Sequence, residues 1–104
     1  MRYIDKRTST KPERIFIEIL KENHIPFKHR VRIEDKEIDF IVGHYAIEID
    51  GHRQSSERNH WLFSNGFTPI HYTNASLITN RKAVEQDITN RFYGIPSKTA
   101  RSSP

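Results

Sequence analysis

The sequence contains no cysteine, which excludes disulfide bonds and thiolate-bound metals and is compatible with a reducing cytoplasm. No stretch of apolar residues approaches the roughly 18 that a membrane-spanning helix needs. Residues 1–7 lack the hydrophobic region of a signal peptide. From these absences we expect a soluble, cytoplasmic protein without a membrane partner.

Length and hydrophobic patterning limit the domain organisation. At 104 residues the chain has room for one hydrophobic core but not for a separate substrate-binding domain. Hydrophobic residues make up only 35% of the sequence, yet they cluster in periodic segments between polar ends. We therefore expect one folded domain over residues 10–94, an N-terminal extension over residues 1–9 and a disordered tail over residues 95–104.

Positive charge exceeds negative charge. Seventeen Lys and Arg stand against 13 Asp and Glu, which gives a net charge of +4 and a pI near 9.6. Because several acids fall in one central segment, the rest of the surface is expected to be more basic than the total indicates. A basic surface favours a polyanionic partner such as nucleic acid.

Periodicity and turn residues predict seven elements. Thr10-Lys11-Pro12-Glu13 has the form of a capping box with proline in the first turn, and it begins a helix that continues to about Asn23. The other elements are expected at residues 27–33, 37–42 and 45–50 (strands), 55–65 (helix), 67–72 (strand, with Pro69 placing it at an edge or strand end) and from an Asn80 cap to Gly94 (helix). This order, αβββαβα, predicts an α/β fold with a mixed four-stranded sheet flanked by helices.

Strand alternation assigns faces to the first two strands. Residues two apart share a face, so Lys28, Arg30 and Arg32 are expected to form a basic outer face. Such a face can track nucleic-acid phosphates, although it is also a plain way to solvate a sheet. On the second strand Asp39 is expected alone opposite an apolar face. That face comprises Ile38, Phe40 and Val42.

Acidic residues interrupt the second and third strands, which a turn at residues 43–44 is expected to join as a hairpin. Asp39, Glu48 and Asp50 then approach one another on one side of the sheet. Like charges in such proximity require a proton or a cation, and oxygen ligands of this kind suit Mg²⁺ or Mn²⁺. These residues therefore predict a metal site.

Four motifs, taken in their order and spacing, resemble those of the very-short-patch repair endonucleases and related small nuclease domains of the PD-(D/E)xK superfamily. This group includes the EDxHD catalytic domains of phage homing endonucleases. The motifs are Thr10-Lys11-Pro12-Glu13, Ile38-Asp39-Phe40, Glu48-Ile49-Asp50-Gly51-His52, and Glu57-Arg58-Asn59-His60-Trp61-Leu62 with Gly66. The resemblance extends over about residues 10–77. It implies a restriction-endonuclease-like core and a metal-dependent endonuclease, in a bacterial or phage-infected host cell.

The resemblance also implies site residues. The catalytic residues are expected to be Glu13, Asp39, Glu48, Asp50, His52 and His60. Asp39, Glu48 and Asp50 would bind the metal, and His52 would be the base or position the water, with His60 as the second candidate. Asp50 stands where the superfamily usually has lysine, so the usual lysine mechanism is not expected. For Glu13 the capping box alone is an alternative explanation.

DNA contacts are expected from Lys28, Arg30, Arg32, Arg58 and Trp61. Arg58 is marked by the resemblance, with pairing to the acidic cluster as the alternative. Trp61 could stack on a base or wedge the duplex, although an aromatic residue beside leucine is more often part of a core.

Together these features predict a DNA endonuclease domain, of homing or mismatch-repair type, that hydrolyses phosphodiester bonds by water attack. One active site cuts one strand, so a double-strand break requires a homo-oligomer or two successive events. We expect sequence recognition to come from an additional domain or partner. The alternatives are an inactive nucleic-acid-binding module with the same fold, which the missing lysine supports, and a ribonuclease.

Overall fold

The computed structural model describes residues 10–49 and 55–94. The predicted extension, the predicted tail and the site candidates Asp50 and His52 lie outside the described residues. In chain order the elements are α1 (Lys11–Glu22), β1 (Lys28–Ile33), β2 (Lys36–Val42), β3 (Tyr45–Ile49), α2 (Ser56–Ser64), β4 (Thr68–Tyr72), α3 (Asn74–Thr79) and α4 (Arg81–Tyr93). None of the helices in this part of the chain combines the length and apolar character needed to cross a membrane.

Helix α1 begins at the predicted capping box. The Thr10 hydroxyl accepts a hydrogen bond from the Glu13 backbone N–H at 3.4 Å, and the Glu13 carboxylate accepts one from the Thr10 N–H at 3.3 Å. Two of the N–H groups that a helix start leaves without partners are thereby satisfied. The helix then buries Phe16, Ile19 and Leu20, whose spacing places them on one face.

The sheet is mixed, as predicted. Its order is β1-β2-β3-β4, with antiparallel pairing among β1, β2 and β3 and parallel pairing of β4 with β3. The hairpin between β2 and β3 turns at Gly43, whose φ of +60° glycine adopts without steric cost. Pro69 lies in β4 at the edge of the sheet, where its missing N–H is tolerated.

The β1–β2 ladder is interrupted at Arg30 and Asp39. Pairs form on both sides of these two residues, which are not themselves paired, and Arg30 has a φ of +58°. Ile38 packs in one core cluster while Phe40 and Val42 pack in the other, so the expected shared face of the three residues is wrong. Ile41 packs in the same cluster as Ile38, three residues away, so the alternation of side chains breaks between Ile38 and Phe40, at the unpaired Asp39.

Helices cover both faces of the sheet. The larger core lies between the sheet and helices α1, α3 and α4, and the smaller one lies between the sheet and α2. The helix residues of the larger core are Phe16, Ile19, Leu20, Leu77, Val84 and Ile88. Leu62 of α2 packs against Ile38 and Ala46 in the smaller core. The described part of the chain therefore forms three layers, in which α2 is the one helix on its side of the sheet.

Two details at the C-terminal side differ from the prediction. Helix α3, with six residues, is too short for a periodic signal, and the Thr73 hydroxyl caps it by accepting from the Ser76 N–H at 3.0 Å. Asn80 occupies the position before α4 but its side chain makes no capping hydrogen bond, so the predicted Asn80 side-chain cap is wrong. Gly94 ends α4 in the left-handed conformation, as expected.

Phe16 provides a test of the larger core. It is fully buried, with its ring 5.0 Å from that of Phe40, so Phe16→Ala removes packing and leaves a cavity. We expect the free energy of unfolding to fall by about 3–5 kcal/mol. The matched control is Phe63→Ala, since Phe63 is 60% exposed and its truncation should change stability by less than about 0.5 kcal/mol. Urea unfolding followed by circular dichroism measures both, and equal losses would contradict the assigned core.

Candidate functional site

The most unusual side chain in the described structure is Glu48 of β3. Among the described residues it is the one charged residue that is buried, with 6% of its surface exposed. An Arg58 guanidinium Nη2 donates to Glu48 Oε2 at 2.6 Å and to the Glu37 carbonyl oxygen at 2.8 Å. Burying a carboxylate is costly unless a cation compensates it, and Arg58 supplies that cation.

Local sequence explains why Arg58 points at the sheet. The Ser55 hydroxyl accepts from the Arg58 N–H at 3.0 Å and so fixes the first turn of α2. Leu62, four residues later, packs into the smaller core beside Ala46. Residues four apart lie on the same helix face, so anchoring Leu62 turns Arg58 toward β3.

Asp39 lies beside β3 at the interruption of the ladder. Its Oδ2 accepts a hydrogen bond of 3.0 Å from the backbone N–H of Ile49, the residue after Glu48. The pairing of β2 with β3 extends as far as the Phe40–Ile47 pair, one residue short of Asp39 and Glu48. The two predicted metal ligands therefore lie on neighbouring strands, where the Asp39 carboxylate is held by the backbone of the residue after Glu48 and the Glu48 carboxylate by Arg58.

Glu13 reaches the same region from the N-terminus of α1. Arg30 Nη2 lies 3.5 Å from Glu13 Oε1, and Arg30 Nη1 lies 4.0 Å from Glu37 Oε2. Glu37 thus meets Arg30 with its carboxylate and Arg58 with its carbonyl oxygen. Both explanations given for Glu13 are compatible with this geometry, because its carboxylate caps the helix and also pairs with Arg30, a residue at the interruption of the β1–β2 ladder.

His29 of β1 is a neighbour of this acidic region that the sequence did not mark. Its ring stacks on Phe40 with centroids 4.5 Å apart. Burial lowers the pKa of His29, and Arg30 lowers it further, while Glu13, Asp39 and Glu37 oppose the shift. At neutral pH His29 is therefore uncharged.

His71 is a second histidine that sequence reasoning passed over. It is the register partner of Glu48 in the parallel pairing of β3 with β4. Parallel partners project from the same side of a sheet, so His71 lies next to Glu48 on the α2 side. Only the strand register reveals this, because no motif links residues 48 and 71.

The four basic residues among the predicted DNA contacts fall into two groups. Lys28 and Arg32 are exposed on the edge strand β1, as a surface that contacts phosphates requires. Arg30 and Arg58 are instead engaged in ion pairs, so Arg30 does not continue the expected basic outer face. The left-handed backbone at Arg30 accompanies this departure.

An open cleft lies along α2 next to the Glu48–Arg58 pair. Its volume is about 470 Å³, and its lining residues are Lys36, Ser55, Glu57, Arg58, His60, Trp61 and Ser64. Lys36 Nζ lies 5.3 Å from the centre of the half-buried Trp61 ring, which also packs on the smaller core. The exposed His60 is thus a cleft residue, and Arg58 belongs both to the cleft and to the carboxylate site.

The carboxylate pair agrees with the chemistry of a magnesium site. Among the described residues, no group of three or more His, Cys, Asp or Glu side chains could hold a metal ion. Mg²⁺, however, is usually bound by one or two carboxylates that water and substrate phosphates supplement. Asp39 and the buried Glu48 provide two such oxygen donors, so the residues present fit this type of ion.

The lowered pKa of His29 has a consequence for stability. In the unfolded chain His29 takes up a proton near its ordinary pKa of about 6.5, whereas the folded protein resists protonation. Stability from this site is therefore fully present above that pH and is lost as pH falls below it. We expect wild type to lose more stability than His29→Phe between about pH 7.5 and about pH 5.5 in urea unfolding. Parallel losses would contradict the assigned environment.

Comparisons with known proteins bear on the fold. Neither a known protein family nor a curated protein matches the sequence. Among solved structures, the chain is similar to the homing endonuclease I-Bth0305I catalytic domain, with a TM-score of 0.68 and 24% sequence identity. The match covers 83% of this chain and 97% of that domain. At this identity the likeness shows a shared fold, and the chain accordingly has the predicted restriction-endonuclease-like α/β fold with a mixed four-stranded sheet.

Proposed function

We propose that this chain is the catalytic domain of a divalent-metal-dependent DNA endonuclease that hydrolyses phosphodiester bonds. The observation that carries the proposal is Glu48, a carboxylate buried beside Asp39 in a fold shared with a homing endonuclease catalytic domain. An apolar residue would stabilise this strand position at lower cost, which favours a functional reason for the acid.

In this proposal Asp39 and Glu48 hold Mg²⁺ or Mn²⁺, with Asp50 as a further ligand. When bound, the ion polarises the scissile phosphate and lowers the pKa of a water molecule. Ile49 orients the Asp39 carboxylate through its backbone N–H at 3.0 Å. A carboxylate that is already oriented limits the reorganisation that the reaction requires.

The attacking water also needs a proton acceptor. We propose His52 for this role, with the exposed His60 of the α2 cleft as the alternative. Neither assignment uses a lysine. A histidine suits the task because its ordinary pKa lies near neutral pH.

Double-stranded DNA is the proposed substrate, in the cytoplasm. Lys28 and Arg32 on the edge strand, together with Arg58 and Trp61 at the cleft, are proposed to contact it. Both a homing role and a mismatch-repair role would suit a small catalytic domain whose sequence recognition comes from an additional domain. One site per chain means that cutting both strands needs a homo-oligomer or two events.

Plasmid cleavage tests the proposal. Wild type should nick or linearise supercoiled DNA in Mg²⁺ or Mn²⁺ but not in chelator, because the carboxylates act through the ion. Asp39→Asn and Glu48→Gln keep side-chain size but remove the charge. We expect each to lower the cleavage rate by at least about 100-fold, the upper end of what even indirect partners of metal sites contribute.

Glu18→Gln is the matched control for charge removal. Glu18 is exposed, pairs with Arg81 at 3.0 Å and lies outside the site, so this variant should cleave like wild type. Circular dichroism and urea unfolding confirm that each variant is folded. Cleavage that continues in chelator, or in both site variants, would contradict the proposed metal site.

A nucleic-acid-binding module without activity is the second candidate. The observation that favours it is the Arg58 guanidinium, which compensates Glu48 without any metal. This candidate predicts folded protein that binds DNA equally well with and without divalent ions and cleaves nothing. Offering RNA in the same assay separates a ribonuclease from both.

A further inference from the structure

Arg58 holds the carboxylate that a metal ion would need. Its Nη2 lies 2.6 Å from Glu48 Oε2, and the two side chains are 23% and 8% exposed, respectively. At such short range and partial burial, screening by water and salt is weak. A divalent cation on Glu48 would therefore repel the guanidinium strongly, so the ion and Arg58 compete for the same carboxylate.

Arg58 has a second place to bind. It lines the α2 cleft, where Lys36 adds another positive charge and Trp61 an aromatic face. Its Nε–H is buried and has no acceptor among the described residues, so the guanidinium keeps an unfilled donor. Planar guanidinium groups bind phosphate through two parallel hydrogen bonds, and an aromatic face beside cations suits a nucleic-acid strand.

We propose that Arg58 is an exchangeable counter-ion: it compensates Glu48 in the free protein and passes to a backbone phosphate of nucleic acid in the α2 cleft when a divalent cation takes Glu48. This inference rests on the proposed function, because it assumes that Glu48 binds metal. Removal of Arg58 from Glu48 exposes the carboxylate to the cation, and arrival of the cation frees Arg58 for the phosphate. Each ligand therefore raises the affinity for the other, by the same factor.

The exchange also explains why a carboxylate is tolerated at a buried strand position before metal binds. With Arg58 in place the charge of Glu48 is compensated, and the Glu37 carbonyl oxygen holds the guanidinium from the other side at 2.8 Å. The free protein is thereby stable, at the cost of weaker metal binding. Nucleic acid reverses this balance only where its phosphate reaches the cleft.

Metal affinity in the absence of DNA tests the competition directly. Mn²⁺ binding is measured by titration calorimetry on wild type, Arg58→Met and the matched control Arg81→Met. Arg81 lies on the opposite layer and pairs with Glu18 and Glu22, so its loss removes an equal charge away from the site. We expect Arg58→Met to bind Mn²⁺ about tenfold more tightly than wild type, within the usual range of coupling between sites, and Arg81→Met to match wild type.

Coupling in the unmodified protein provides a second measurement. A short fluorescent duplex is titrated with wild type in chelator and in Ca²⁺, and anisotropy reports binding. Duplex affinity should rise about tenfold with Ca²⁺ in wild type, and this factor should approach one in Arg58→Met. Arg58→Lys keeps the charge but loses the two-point contact, so its Mn²⁺ affinity should lie between those of wild type and Arg58→Met.

Each failure has a distinct meaning. If wild type and Arg58→Met bind Mn²⁺ equally while wild type cleaves plasmid, Arg58 is not the competing counter-ion and only this inference is overturned. If none of the proteins binds Mn²⁺, the metal site and the inference fall together. If Arg58→Met does not fold, the Arg58→Lys titration and the wild-type coupling decide, and an absence of Ca²⁺ coupling in wild type overturns the exchange.

Discussion

The buried ion pair between Glu48 and Arg58 is the constraint on which the α2 side of the molecule depends. It joins an inner strand to the only helix that the described structure places on that side, and the Glu37 carbonyl oxygen extends the link to β2. Replacing either partner alone would leave an uncompensated charge in a poorly solvated position. An apolar pair could pack the two layers as well, so the charges require an explanation beyond stability.

A second constraint is the interruption of the ladder at Arg30 and Asp39. Regular antiparallel pairing would bond the backbone N–H groups of β3 to backbone carbonyl oxygens of β2, but the Ile49 N–H is instead bonded by the Asp39 side chain, beyond the last β2–β3 pair. The left-handed backbone at Arg30 is uncommon for a residue with a long side chain. Strained positions persist where surrounding contacts enforce them, and Arg30 has carboxylates of Glu13 and Glu37 nearby.

Local signals predicted most of the fold, whereas the site depended on contacts distant in sequence. The Thr10 capping box and the edge position of Pro69 follow from rules that act over a few residues, and the structure confirms both. The interruption at Arg30 could not be predicted, since the sequence there lacks the glycine or asparagine that usually marks left-handed backbone. The pairing of His71 with Glu48 follows from strand register, which is fixed by packing across the whole sheet.

The distribution of charge over the surface also depends on the structure. The sequence suggested that acids withdrawn into the centre leave a more basic surface, but Glu48 and Glu13 each engage an arginine, Arg58 and Arg30. Because each of these acids is paired with an arginine, the pairs carry no net charge. The excess of positive charge on the rest of the surface is therefore unchanged. In the proposed exchange, a cation on Glu48 frees Arg58, which already lines the cleft, to bind a phosphate there. Attraction for a polyanion would then increase at the moment when the carboxylate site becomes loaded, which couples substrate binding to readiness for the reaction.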